Sequence, residues 1–120
     1  MEEREKIEHI RSLSMISKLL DEAMYPLGTV IFNFHLKELL GDDPWKVYVK
    51  NVEKFWEALM MLFKGKEEIV RSAITYMVSY VNEHYNTNYD PEEFYRAFKE
   101  GDLGYIRAFI AGLEKRSEVK

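Results

Sequence analysis

The sequence predicts an all-α fold, a compact bundle of five or six helices, and three observations lead there. Apolar residues recur at three- and four-residue steps along most of the chain, the period of a helix buried on one face. Two windows, Ala23 to Leu36 and Ser72 to Asn82, carry no Asp, Glu, Lys or Arg although 32% of the residues are charged. Both are shorter than the roughly 20 apolar residues of a membrane span, so they read as the two most buried helices and not as membrane segments. Finally, 120 residues with 47% hydrophobic content suit one domain, residues 1–120, around one core.

The first helix runs from about Glu2 to Ala23, with Ile7, Ile10, Leu13, Ile16, Leu20 and Met24 on its stripe. Pro26, whose missing N–H is not needed in a first turn, and Gly41, at a left-handed cap position, bracket a second helix from about Pro26 to Leu40. Asp42-Asp43-Pro44 is a cap or turn. The following Trp45 to Lys50 alternates like a strand, but a lone strand has no pairing partner, so a short helical turn is expected. Asn51 caps a third helix carrying Val52, Phe55, Trp56, Leu59, Met60 and Phe63, which ends at Gly65.

The fourth helix, about Lys66 to Tyr85, has Ile69, Val70, Ala73, Ile74, Met77, Val81 and Tyr85 on one side and is expected at the centre of the bundle. Asp90-Pro91-Glu92-Glu93 is a complete start signal: a capping carboxylate, proline in the first turn and a glutamate at the third position. It opens a fifth helix that stops at Gly101. Asp102 caps a last helix through Leu113, leaving residues 114–120 as a frayed, flexible charged tail.

Composition excludes several functions. A formal charge of −4 and a pI near 5.4 argue against affinity built on neutralising phosphates, so no nucleic-acid partner is expected. The absence of Cys rules out disulfides, thiolate catalysis and Cys-based zinc sites. The acidic N-terminus does not read as a signal peptide, which makes the expected location cytoplasmic. Abundant Glu and Lys with no Gln or Cys is the composition of proteins from hot environments.

Catalytic motifs are absent too. His9, His35 and His84 fall on three different helices without a His-Glu-x-x-His or Glu-x-x-His pattern, so no metal is expected. His35 and His84 read as satisfied by backbone groups near helix ends. Gly65-Lys66 lacks the remainder of a phosphate loop, and there is no Gly-x-Ser-x-Gly elbow. No cofactor and no enzymatic activity follow from this chain. The lysines from Lys46 to Lys66 are matched by interspersed carboxylates and form a mixed, solvated surface.

One feature resists an ordinary surface reading: Ser72, Thr75, Ser79, Asn82 and Asn86 line one edge of the fourth helix, and none is charged. Three accounts fit. The edge packs on another helix of the chain, with hydroxyls bonding their own turn; it is a dimer contact; or it lines a small-ligand pocket between the second and fourth helices with Thr29, Asn33 and Tyr76. Abundant Tyr and Trp, residue types enriched at contact anchors, favour a protein partner or self-association.

From about Gly41 to Asp102, the order Leu39-Leu40-Gly41, then Asn51-Val52-Glu53-Lys54-Phe55-Trp56-Glu57-Ala58-Leu59-Met60-Met61-Leu62-Phe63, Gly65 and the apolar helix from Ile69 resembles the archaeal Nitrosopumilus output domain family. The resemblance implies a small all-helical, non-catalytic signalling module. Where such domains tend to have a Phe-Gly-x-Gly-Ala turn, this chain has Phe63-Lys64-Gly65-Lys66-Glu67. It carries over no site residues. The combined reading is a non-enzymatic interaction or regulatory domain, a homodimer in its simplest form, with small-ligand sensing as the alternative.

Overall fold

In the computed structural model, which describes residues 2–119, the chain folds into seven α-helices and one π-helical segment, with no strand among the described residues. The order is α1 (Glu3–Met24), a π-helix (Thr29–Leu36) running directly into α2 (Lys37–Leu40), α3 (Pro44–Lys50), α4 (Val52–Leu62), α5 (Glu67–Tyr85), α6 (Pro91–Glu100) and α7 (Leu103–Val119). The all-α class holds, but the count exceeds five or six. Residues 44–50 form a full helix because the Asp43 carboxylate accepts from the Trp45 N–H at 3.0 Å and Trp45 and Tyr48 are buried. The expected second helix is split by its π-helical stretch.

That stretch has a physical logic. With i→i+5 bonding, residues four and five apart share a face, and Ile31, Phe32 and Leu36 are the ones buried. Its start is fixed by Asp21, which accepts from the Thr29 N–H at 2.9 Å and from the Thr29 hydroxyl at 2.5 Å. Gly28 lies directly on the α1 backbone at Ser17.

Local signals end and begin the remaining helices. Gly41, Gly65 and Gly101 take left-handed conformations at φ 70°, 77° and 76°, the geometry glycine adopts without steric penalty. The Asn51, Asp90 and Asp102 side chains accept from the N–H groups of Lys54 (3.2 Å), Glu92 (3.0 Å) and Tyr105 (3.0 Å). Helix α7 continues past the expected end at Leu113, because Glu114 takes both guanidinium donors of Arg11, at 3.0 and 3.2 Å, and Arg116 donates to the Asn86 carbonyl at 3.1 Å. Of the expected tail, Lys120 lies outside the described residues.

The hub is α1 and not the fourth expected helix, which is α5. Helix α1 packs against α3, α5, α7 and the π-helix, burying Leu13, Ile16, Leu19 and Leu20. Small buried Ser12 and Ser17 let neighbours approach it from several sides. Helix α5 buries Val70, Ile74, Met77, Val78 and Val81 against α1, α6 and α7. Aromatic rings fill the space at one end: Phe55 sits 5.0 to 6.3 Å from the rings of Phe32, Trp45, Tyr48 and Phe98. The fully enclosed Tyr48 hydroxyl donates to the Phe98 carbonyl at 2.5 Å.

Candidate interaction surface

The uncharged edge of α5 faces outward. Ser72 and Ser79 are exposed and Thr75 is half-buried, so packing against another helix of the same chain is not what keeps this row free of charge. Its outward aim follows from rotational phase: the buried stripe Val70, Ile74, Met77, Val78 and Val81 occupies the opposite side of the helix. On the outer side, Ile69, Ser72, Tyr76, Ser79 and Glu83 follow one another at three- and four-residue steps. Tyr76 is 55% exposed and Ile69 42%. Three turns of solvent-facing helix thus carry no charge until Glu83.

Asn82 belongs to the frame and not to this surface. Its Oδ1 accepts from the Tyr89 N–H and the Thr87 hydroxyl, and its Nδ2 donates to the Tyr89 carbonyl, all at 2.9 Å. These bonds fold the 86–90 loop onto α5, with Asn86 left-handed at φ 55°. Asn82→Ala strips three bonds from a half-buried site, and each is worth about 1 kcal/mol. A loss of about 2 kcal/mol in urea unfolding is expected, with faster amide exchange at Tyr89; a change below about 0.5 kcal/mol would contradict this role.

Thr29 and Asn33 are not brought to the α5 row. The π-helix packs on α1, α3 and α4, whereas α5 packs on α1, α6 and α7. Thr29 is committed to Asp21, and Asn33 is exposed. No shared groove forms a principal contact of the fold.

A different groove, not anticipated from the sequence, lies between α2 and α4. His35, Glu38, Leu39, Met61 and Leu62 line about 400 Å³ there. Leu39 is 48% exposed and Met61 68%. Phe34, 59% exposed, sets its ring edge-on to His35 at 5.0 Å. His35 and His84 lie against aromatic rings, His84 stacking on Tyr80 at 4.8 Å, instead of taking the expected backbone partners. His9 is buried on α1 with Nε2 3.8 Å from Glu5. Among the described residues, no three His, Asp or Glu side chains converge to hold a metal ion.

Charged groups gather between α5 and α6. The Tyr95 hydroxyl donates to Glu67 at 2.7 Å, Lys99 donates to the same carboxylate oxygen, and the Arg71 guanidinium lies 4.9 Å above the Tyr95 ring. The adjoining cavity of about 430 Å³ is lined by Arg71, Arg96, Lys99, Tyr95, Glu92 and Glu100, three cations against two carboxylates. The Lys99 ammonium, then the Tyr95 hydroxyl, hold the Glu67 carboxyl below its ordinary value of 4.5. Arg11 does the same to Glu114. A carboxyl lowered in the folded state contributes stability that is complete above its unfolded value and is lost as pH falls through the folded one. The unfolding temperature should therefore hold down to about pH 4.5 and drop below it, and Glu67→Gln should flatten that acid limb in melts followed from pH 7 to 3.

No helix among the described residues is long and apolar enough to cross a membrane. The chain matches no family model, no curated protein and no solved structure.

Proposed function

We propose that this domain works through protein contact and not through chemistry, with the outer face of α5 as its contact surface and self-association as the simplest expression. The observation that carries the reading is the outward line Ile69, Ser72, Tyr76 and Ser79: exposed, uncharged and holding a half-exposed tyrosine. A surface in contact only with water in so charged a chain is ordinarily occupied by Glu and Lys, as on α1. Tyrosine is a residue type over-represented at the anchors of contact surfaces. A regulatory role in a cytoplasmic setting belongs to the same proposal and draws on the resemblance of Asn51 to Phe63, here α4 and its flanks, to the output domains.

The test is mass in solution. Light scattering at tens to hundreds of micromolar should give more than one chain per particle, and Ser79→Lys should return the mass of one chain with unchanged helical circular dichroism. A wild-type chain that stays monomeric across that range removes the self-association reading.

A second reading, small-ligand sensing, is favoured by the α2–α4 groove, whose volume and apolar walls suit a metabolite. A thermal-shift screen decides it, since a ligand at 100 times its Kd adds about 2.7 kcal/mol. Silence across metabolites and metals would retire it.

A further inference from the structure

On the reading that α5 is a contact face, we infer that its occupant is the same face of a second copy, packed antiparallel so that Tyr76 of each chain lies over Ser79 of the other. Along the exposed line, the large residues Ile69 and Tyr76 alternate with the small residues Ser72 and Ser79. Close helix pairing needs each large side chain to meet a small one across the contact. Setting Tyr76 against the second copy's Ser79 does this twice, because the two-fold axis returns the same contact.

Charge then chooses the direction. In a parallel pair related by a two-fold axis along the helices, each residue faces its own copy, so Glu68 would meet Glu68 and Glu83 would meet Glu83. The antiparallel register removes both repulsions. Glu83 falls opposite the second copy's Ser72, whose hydroxyl can donate to the carboxylate, and Glu68 falls beside the second copy's Asn86, whose amide can do the same. The two copies of Glu83 are then eleven residues apart along the axis, about 16 Å. Arg71 takes no part, since its guanidinium is turned onto Tyr95.

Contact along one helix of three to four turns sits at the small end of specific interfaces, below about 1,200 Å², so association in the micromolar range is expected. That range sets the working concentration.

The chain has no cysteine, so a single introduced thiol reports one position without background. In the antiparallel pair the two copies of residue 79 are offset by three residues and lie about 10 Å apart, whereas the two copies of residue 83 lie about 19 Å apart. With a short dimaleimide reagent, Ser79→Cys should therefore link two chains efficiently and Glu83→Cys at least tenfold less. Both positions face solvent on the single chain, so neither change threatens the fold. Equal linking at both positions would overturn the antiparallel register while leaving α5 as the contact. A dimer that links at neither position and survives Ser79→Lys would overturn the α5 pairing and place the contact elsewhere. A chain of single mass would remove the self-association reading on which the pairing rests.

Discussion

Gly28→Ala should lower stability by about 4 kcal/mol, roughly 15 °C in unfolding temperature for a domain of this size. A Cβ at this position would stand 2.0 Å from the Ser17 carbonyl oxygen, 2.9 Å from its carbon and 3.0 Å from the Asp21 carboxylate. Two of those atoms are backbone in the middle of α1, the helix on which the fold is assembled. They cannot swing aside as a side chain can. Relief requires the start of the π-helix to lift away from α1, which also breaks the two bonds from Thr29 to Asp21, each worth about 1 kcal/mol. Overpacking alone accounts for about 1–3 kcal/mol.

The control is Gly104→Ala. There the new Cβ would come no nearer than 3.6 Å to Asp102, an ordinary contact, and the residue lies inside α7. A gain of about 0.5–1 kcal/mol is expected from the better helix propensity of alanine. Urea unfolding of both variants separates close approach from any general dislike of side chains at glycine positions. A Gly28→Ala protein within about 1 kcal/mol of the parent would show that the Ser17 approach is not tight.

Phe55→Ala should remove about 3–5 kcal/mol. The ring is wholly buried and meets Phe32 from the π-helix, Trp45 and Tyr48 from α3, and Phe98 from α6. Its loss empties the point where four elements join, and aromatic pairs add about 0.5–1.5 kcal/mol beyond buried area. Phe55→Leu, which keeps most of the volume, should lose about 1.5 kcal/mol. Trp45 supplies a second readout: its ring lies 5.5 Å from Phe55, so the alanine variant should change tryptophan fluorescence before global unfolding. An alanine variant nearly as stable as the leucine one would mean that the neighbouring rings close the gap.

Much of this fold could be read from residues because the signals were local. Asp90-Pro91-Glu92 starts α6 through a bond that spans two residues, and Gly101 ends it with one backbone conformation. The spacing Val70, Ile74, Met77, Val81 gives the buried side of α5 whatever packs on it. The same wheel places Ser72 and Ser79 opposite that stripe, so their outward position was available from phase; lack of charge, taken alone, pointed inward. The π-helix was beyond reach because over eight residues a four-to-five spacing and a 3.6 spacing select nearly the same apolar positions. The groove beside Leu39 and Met61 was equally hidden, because it depends on how α2 and α4 pack. Asn82 reads as one more polar edge residue until Thr87 and Tyr89 are seen folded back onto it.

The position of α1 also sets an order of events at the ribosome. Residues that complete its surroundings are spread across the chain, from Ile31 to Leu113, and the tie from Arg11 to Glu114 spans 103 positions. At roughly 5–20 residues per second, the first helix waits several seconds after its own synthesis before its last neighbour emerges. Until then the π-helix, α3 and α5 cover its leucine-rich stripe only in part. Shortened chains that stop ahead of Leu103 would leave the α7 side of α1 open permanently.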